Sequence, residues 1–319
     1  MAIAGKDFLT PEEIRAFAKR SDWMGAGLIL HAWAIIFGAV ALFTWAPSVL
    51  TFVLAVMLIG SRQLGLAILM HEGAHRALFE RRRVNEWVSQ WLCARPILAE
   101  MTSYRNYHLI HHRYTQTEKD PDLPLSAKFP STRESLVRKF KRDLTGQTGF
   151  KLRAMQFRRA LQLAFDEDAI EGSELAQTFQ SEDLRPGLLC NAFIFAAMWA
   201  IGDWWYWFAF WAFPLLTWYQ FVIRVRNIAE HAVLRDHTDP LSNARTTYAD
   251  PITALFLAPY WVNYHLEHHL LMHIPCWRLP RLHRALLAKG LGERMETAPS
   301  YWSVMARVGW FNREGRAAA

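Results

Sequence analysis

The sequence predicts an all-α, membrane-spanning fold, and three observations carry that prediction: four long apolar runs, basic residues gathered outside them, and histidines at helical spacing. Residues 23–45 contain no acid or base, and residues 48–69 contain only Arg62. Two further runs, 186–202 and 204–223, are divided by little more than Asp203. At about 1.5 Å per residue, runs of this length match a hydrocarbon core about 30 Å thick. Buried core helices are usually shorter and seldom come as adjacent pairs with such short links. The expectation is therefore four transmembrane helices in two hairpins, within a single domain covering residues 1–319. The first run follows 22 mixed-charge residues without a small-residue cleavage site and reads as an anchor, not a removable signal.

The remaining elements follow in chain order. In the amino-terminal arm, Thr10-Pro11-Glu12-Glu13 reads as an N-cap, a first-turn proline and a capping box. Ile14, Phe17 and Ala18 then share one face, which suggests a short helix along the membrane surface. Residues 70–185, with 224–319, are too polar to cross a bilayer and make a helical cytoplasmic cap. Within it, Asp120-Pro121-Asp122-Leu123-Pro124 is a loop, because each proline restricts the residue before it. Residues 126–165 are basic with apolar residues at partly helical spacing, as expected of a cap resting on lipid headgroups. The acidic patch at 166–168 reads as a solvated turn, and the closing Ala-Ala-Ala as frayed. No strand pattern stands out.

Lys and Arg set the orientation. Of 36, 4 fall in residues 1–22, 19 in 70–185, 12 from 224 onward and 1 in the second run, while the two links near 46–47 and 203 hold none. The positive-inside bias places both termini and all histidine clusters in the cytoplasm, in an inner or plasma membrane. Trp204-Trp205-Tyr206-Trp207 would then belong to the outer aromatic belt. The net charge of +7 suits anionic headgroups and gives no reason to invoke nucleic acid. Three cysteines without a CxxC pair read as reduced, packed thiols.

Ten of the 13 histidines fall in four clusters: His71-Glu-Gly-Ala-His75, His108-Leu-Ile-His111-His112, Asn227-Ile-Ala-Glu230-His231, and His265-Leu-Glu267-His268-His269 continuing to His273. The first matches the letters of a zinc-protease motif. The first and third, however, lie just past the second and fourth runs, so spanning helices deliver them to one depth. His108, His111 and His112 repeat the i, i+3, i+4 spacing of His265, His268 and His269, which puts each triplet on one helical face. Nine histidines exceed what one zinc takes and suit two metal ions with four or five ligands each. Imidazole alone leaves Zn, Cu, Fe and Ni open, while ligand count and membrane setting favour iron working with dioxygen.

These boxes, with the stretches His111-His-Arg-Tyr-Thr-Gln-Thr-Glu-Lys-Asp-Pro-Asp122, Arg142-Asp-Leu-Thr-Gly-Gln-Thr-Gly149 and Trp277-Arg-Leu-Pro-Arg-Leu-His283, resemble the integral-membrane fatty acid desaturase superfamily, which also includes hydroxylases and carotenoid ketolases. The resemblance implies a non-haem di-iron centre on the cytoplasmic face, held by His71, His75, His108, His111, His112, His231, His265, His268 and His269. It further implies that Asn227 contributes through a water, with His273 an auxiliary residue or an additional ligand. His31 reads as a satisfied membrane histidine, His237 as a loop residue, and His283 as the start of a surface helix with no identifiable partner.

Metal-bound imidazoles normally donate their second N–H to an acid, which makes Glu72, Glu230, Glu267, Asp120 and Asp122 the candidates. Gln63 leads toward His71, and Thr217, Gln220 and Arg224 form a polar stripe rising toward Asn227 and His231. An intramembrane polar stripe usually faces the bundle interior, so these four are candidates for a substrate-channel wall. The expected reaction is O₂-dependent desaturation of a lipid-like acyl chain, with hydroxylation or ketolation of a lipid, hydrocarbon or carotenoid as the alternative. A metal transporter or membrane zinc protease fits less well, since neither uses both histidine triplets beyond the helix ends. No haem-binding His-Pro-Gly-Gly and no cysteine cluster is present, so a separate ferredoxin, rubredoxin or cytochrome system is expected to supply electrons.

Overall fold

The computed structural model describes residues 4–165 and 183–311. The predicted acidic turn at 166–168 and the closing alanines lie outside the described residues. The described chain is predominantly helical, and its one sheet is a two-residue parallel ladder between β1 (Thr246–Thr247) and β2 (Thr297–Ala298).

Helix α1 (Pro11–Phe17) starts at the predicted capping box, with Thr10 N donating to Glu13 Oε2 at 2.8 Å and Glu13 N to Thr10 Oγ1 at 3.3 Å. Ile14 and Phe17 pack against the core of the protein, and Glu13 pairs with Lys289 at 3.0 Å. The apolar face of this helix therefore meets protein as well as any headgroup layer.

The first hairpin is α2 (Asp22–Trp45) and α3 (Val49–Ala74), two of three helices long and apolar enough to cross a membrane. Its tight link works because Ser48 caps α3, accepting from Thr51 N at 3.1 Å. The two helices differ in burial: α2 exposes Trp23, Leu30 and Trp45 at 89, 71 and 83%, whereas α3 is buried almost without interruption from Ile59 to Ala74. Side chains this apolar would be left in water only at a cost of about 25 cal/mol per Å², so the outer face of α2 belongs in lipid. Inner α3 is the structural axis.

The cap follows as α4 (Arg82–Val88), a π-helical turn over Ser89–Ala94, α5 (Met101–Tyr114), α6 (Leu123–Ser126), α7 (Arg133–Leu144) and α8 (Gln147–Phe165). The predicted span 186–202 is found as α9 (Arg185–Ile201), whose 17 residues reach only about 25 Å. It stops at Gly202, where an added Cβ would come within 2.0 Å of the Tyr206 ring. The predicted span 204–223 is shifted toward its carboxyl end. It runs over Phe208–His231, as a π turn (Phe208–Ala212), α10 (Phe213–Leu216) and α11 (Trp218–His231). The described residues thus hold three helices long enough to cross, together with the shorter α9, where four full crossings were expected.

Polar side chains repair the breaks in that third span. Gln63 Nε2 donates to Trp211 O at 2.8 Å, Thr217 Oγ1 to Phe213 O at 2.7 Å, and Gln220 Nε2 to Leu215 O at 3.0 Å. These bonds lie beside a π turn and Pro214, where the regular helical ladder is interrupted and lipid offers no water, although Phe213 O also keeps its backbone donor, Thr217 N at 3.0 Å. Beyond the span come α12 (Pro251–Phe256), α13 (His265–Leu270), α14 (Leu279–Ala288) and α15 (Tyr301–Met305).

Candidate metal centre

All four histidine clusters sit on helices that end at, or lie across, one buried volume. Box one occupies the last turn of α3 and its C-cap, box two the middle and end of α5, the lone His231 the last position of α11, and the third triplet most of α13. The nine expected histidines separate into two groups. His71, His75, His108, His112 and His268 form one, and His111, His231, His265 and His269 the other, with the ligand atoms of each group within 4.8 Å of one another. Helix α5 feeds both groups, because i and i+4 (His108, His112) point one way and i+3 (His111) the other. Helix α13 does the same with His268 against His265 and His269.

The nitrogens that converge are Nε2. In the first group His268 Nε2 lies 2.9 Å from His71 Nε2 and 3.0 Å from His112 Nε2, which is itself 3.0 Å from His108 Nε2. In the second, His265 Nε2 lies 2.9 Å from that of His231 and 3.0 Å from that of His269, which is 3.2 Å from His111 Nε2. One Nε2 carries either one proton or one lone pair, so His268 and His112 cannot satisfy two imidazole neighbours apiece. A cation at the centre of each group accepts all the lone pairs at once. His75 Nε2 points the same way, buried and without a hydrogen-bond partner. The donor set therefore fits two metal ions, of the imidazole-preferring kind.

Electrostatics prepares the same state. Burial, reinforced by neighbouring imidazoles, pushes His108, His112, His265, His268 and His269 well below the ordinary histidine range. Burial, with the charge of Arg105 next, brings His75 down to about 3. These rings are neutral at physiological pH, as metal ligation requires. His111 departs from the pattern: burial opposes its protonation, but the hydrogen bond and charge of Asp120, with Asp122 and Glu230, raise it.

Most of the acids named from the sequence are found behind the ligands. Asp120 Oδ1 accepts from His111 Nδ1 at 2.8 Å, and Asp122 Oδ2 lies 3.7 Å from the same atom. Glu72 Oε1 is 3.3 Å from His71 Nδ1, while its Oε2 accepts from Cys276 N at 2.8 Å. Both oxygens of Glu72 are thus turned away from the Nε2 centre, unlike the general base of a zinc protease. Glu230 pairs with Arg226 at 2.6 Å and reaches within 3.5 Å of His265 Nε2. Glu267 touches no box histidine; it takes His283 Nδ1 at 2.6 Å and the Thr246 hydroxyl. Asn227 is half-buried one turn before His231. His273 falls outside both groups, although its charge acts on His75. Of the candidate channel residues, Gln63, Thr217 and Gln220 bond the broken span, leaving Gln63 Oε1 buried and unpartnered, and Arg224 pairs with buried Asp143.

The structure also corrects one residue and adds two. His283 is no surface residue: it is 4% exposed in α14, bonded to Glu267 and, at 3.0 Å, to the Tyr248 hydroxyl. His31 meets Tyr260 Oη at 3.1 Å and His237 meets Gln116 Oε1 at 2.9 Å. Arg105 donates to Ala74 O at 2.7 Å and Gly73 O at 3.2 Å, closing the carbonyl end of α3, and is held by Glu86 at 2.8 Å. Arg245, 1% exposed, donates to Ala229 O, Ala232 O and Val233 O at 3.2, 2.9 and 2.6 Å and pairs with Glu296 at 3.1 Å. Each spanning helix that ends in a ligand thus has its free carbonyls and negative dipole end met by an arginine. No periodic signal marks either arginine in the sequence.

Comparison with known proteins agrees with this geometry. Residues 43–299 match the family model for fatty acid desaturases, and the chain belongs to that family. It is 30% identical over 295 residues to a dihydrorhizobitoxine desaturase of Bradyrhizobium elkanii, covering 90% of this chain and 79% of the relative. It is 24% identical to an sn-1 oleoyl-lipid 12-desaturase of a Picosynechococcus species, covering 88% and 81%. A beta-carotene ketolase of a Paracoccus species is 26% identical, covering 68% of this chain and 73% of that one. Family and relatives make the protein an oxidoreductase, and its three apolar helices make it one of the membrane type.

Proposed function

We propose that the protein binds two iron ions, one in each histidine group, and uses dioxygen and electrons from a separate donor to desaturate a lipid-like chain. The observation that carries this reading is the division of nine imidazoles into groups of five and four around two adjacent centres. Group two holds one histidine fewer than group one, and the family resemblance assigns Asn227, one turn before His231, to complete it through a water. Iron bound in these sites supplies the reductive activation of dioxygen that removal of hydrogen from an unactivated methylene requires.

The chain's own residues perform the rest. The buried, neutral imidazoles present lone pairs without a proton to expel. Asp120 fixes the ring plane of His111 through Nδ1, which leaves its Nε2 for metal, and Glu72 Oε1 stands 3.3 Å from His71 Nδ1 as the nearest acid to that ring. Six of the nine histidines are buried and three half-buried, which limits the access of water to the centre. The positive-inside bias places the site in the cytoplasm, where exposed basic residues of the cap meet an acidic ferredoxin, rubredoxin or cytochrome-type donor. Lipid-phase substrates follow from the membrane setting and from relatives acting on an oleoyl lipid and on beta-carotene. The same ligands serve oxygen insertion, so the product separates desaturase from hydroxylase or ketolase.

The test is mass spectrometry of total lipids from aerated cells expressing wild type or His268→Ala. A species lighter by two hydrogens, present with wild type alone, is the expected result. A species heavier by one oxygen would move the protein to the hydroxylase and ketolase branch, and the same new species with His268→Ala would remove that residue from the centre.

A further inference from the structure

We propose that α8 lies in the plane of the membrane interface and binds the anionic headgroups of the leaflet on the histidine side. The inference rests on the membrane placement of the spanning helices and is independent of the metal.

Three observations converge on it. Phe150, Phe157 and Leu161 are 69, 37 and 60% exposed, and their spacing of seven and four residues puts them on one stripe of α8, with exposed Ala154 between. Exposed Lys151 and Arg158 line one edge of that stripe, and the 19 residues of α8 contain four bases and no acid. An apolar stripe edged by cations, on a helix without an acid, is the composition of a helix lying on an anionic bilayer, where rings enter the acyl boundary and cations meet phosphate.

The third observation fixes the depth. A side of α8 about a third of a turn from the stripe is pinned at two places. Near its start, a Cβ on Gly149 would stand 2.4 Å from Leu216 O, so the helix backbone lies directly against the third span. Further along, buried Gln156 donates through Nε2 to Leu98 O at 2.7 Å, and Leu98 also packs on Gly187 in the first turn of apolar α9. A helix held between the side of one apolar helix and the entry of another runs across the bundle where apolar and charged surfaces meet. Its free stripe then faces lipid, which favours the bilayer over a soluble protein partner.

The experiment uses the full chain in phospholipid nanodiscs, with half-buried Cys190 replaced by Ala and nitroxide labels at Phe157→Cys, Leu161→Cys and, as a control on exposed cap surface, Glu134→Cys. The expected result is a ratio of oxygen to nickel-chelate accessibility several-fold higher at 157 and 161 than at 134. Higher nickel access at 157 and 161 would place the stripe in water, and exclusion of both reagents would mean protein covers it; either overturns the proposal. For the headgroups, phosphatidylglycerol in place of phosphatidylcholine should raise that ratio at 161, and Lys151→Gln with Arg158→Gln should abolish the rise. A rise that persists in the double variant would overturn the anionic-lipid assignment.

Discussion

Asp120 acts on the metal centre through one atom: its carboxylate accepts the Nδ1–H of His111 and so commits Nε2 to the second group. Asp120→Asn keeps the shape and removes the charge, and losses of outer partners of this kind cost about 10–100-fold in metal affinity. Iron retained against a graded series of chelators should fall by that factor, while the thermal midpoint of the metal-free protein stays near wild type. Arg245 makes a larger structural contribution. Arg245→Met strands the carbonyls of Ala229, Ala232 and Val233 at the end of α11; the first two are buried acceptors, and about 1 kcal/mol or more for each gives a destabilisation of roughly 2 kcal/mol. Arg245→Lys should recover little of it, because one ammonium does not reproduce the planar fork. A melting temperature of Arg245→Met in detergent equal to wild type would remove the capping role. Sequence made the histidines legible because four clusters at helical spacing are locally periodic. His283 was misread because its partner Glu267 lies 16 residues away on another helix, a contact that only the tertiary fold creates.

At the scale of elements, the polar stripe was legible as inward-facing, but its partners were not. Gln63, Thr217 and Gln220 bond carbonyls beside a π turn and Pro214, and helix breaks of that kind leave no period in the sequence. Gln63→Leu distinguishes a repair role from a channel wall. Losing the bond to Trp211 O should cost about 1 kcal/mol in thermal stability with iron content unchanged. Unchanged stability with altered chain-length selectivity would instead make Gln63 part of the substrate path. The continuation of the third span past its apolar run was legible from the position of His231, but the partners of the charges on it were not. Apolar composition ends near residue 223, yet the helix continues through Arg224 and Arg226 because Asp143 and Glu230 pair with those charges. Gly149 belongs here as well: Gly149→Val should destabilise through contact with Leu216, lowering the yield of folded protein in membranes.

For the whole molecule, the architecture is two spanning helices that end in ligands, α3 and α11, joined by two short helices, α5 and α13, that each serve both metal groups. Such a design couples the centres: displacing α13 disturbs both groups, whereas removing His231 strips only one. The helical, membrane-spanning class was readable from apolar run length, and the clustering of nine histidines from their spacing. The 5:4 division was not, because which face of α5 or α13 meets which group depends on how the helices pack. The measurement that tests the central claim most directly is the metal content of the purified full-length protein, by elemental mass spectrometry. Two iron atoms per chain is the predicted result. Zinc in place of iron, or a single metal ion per chain in fully loaded protein, would contradict it.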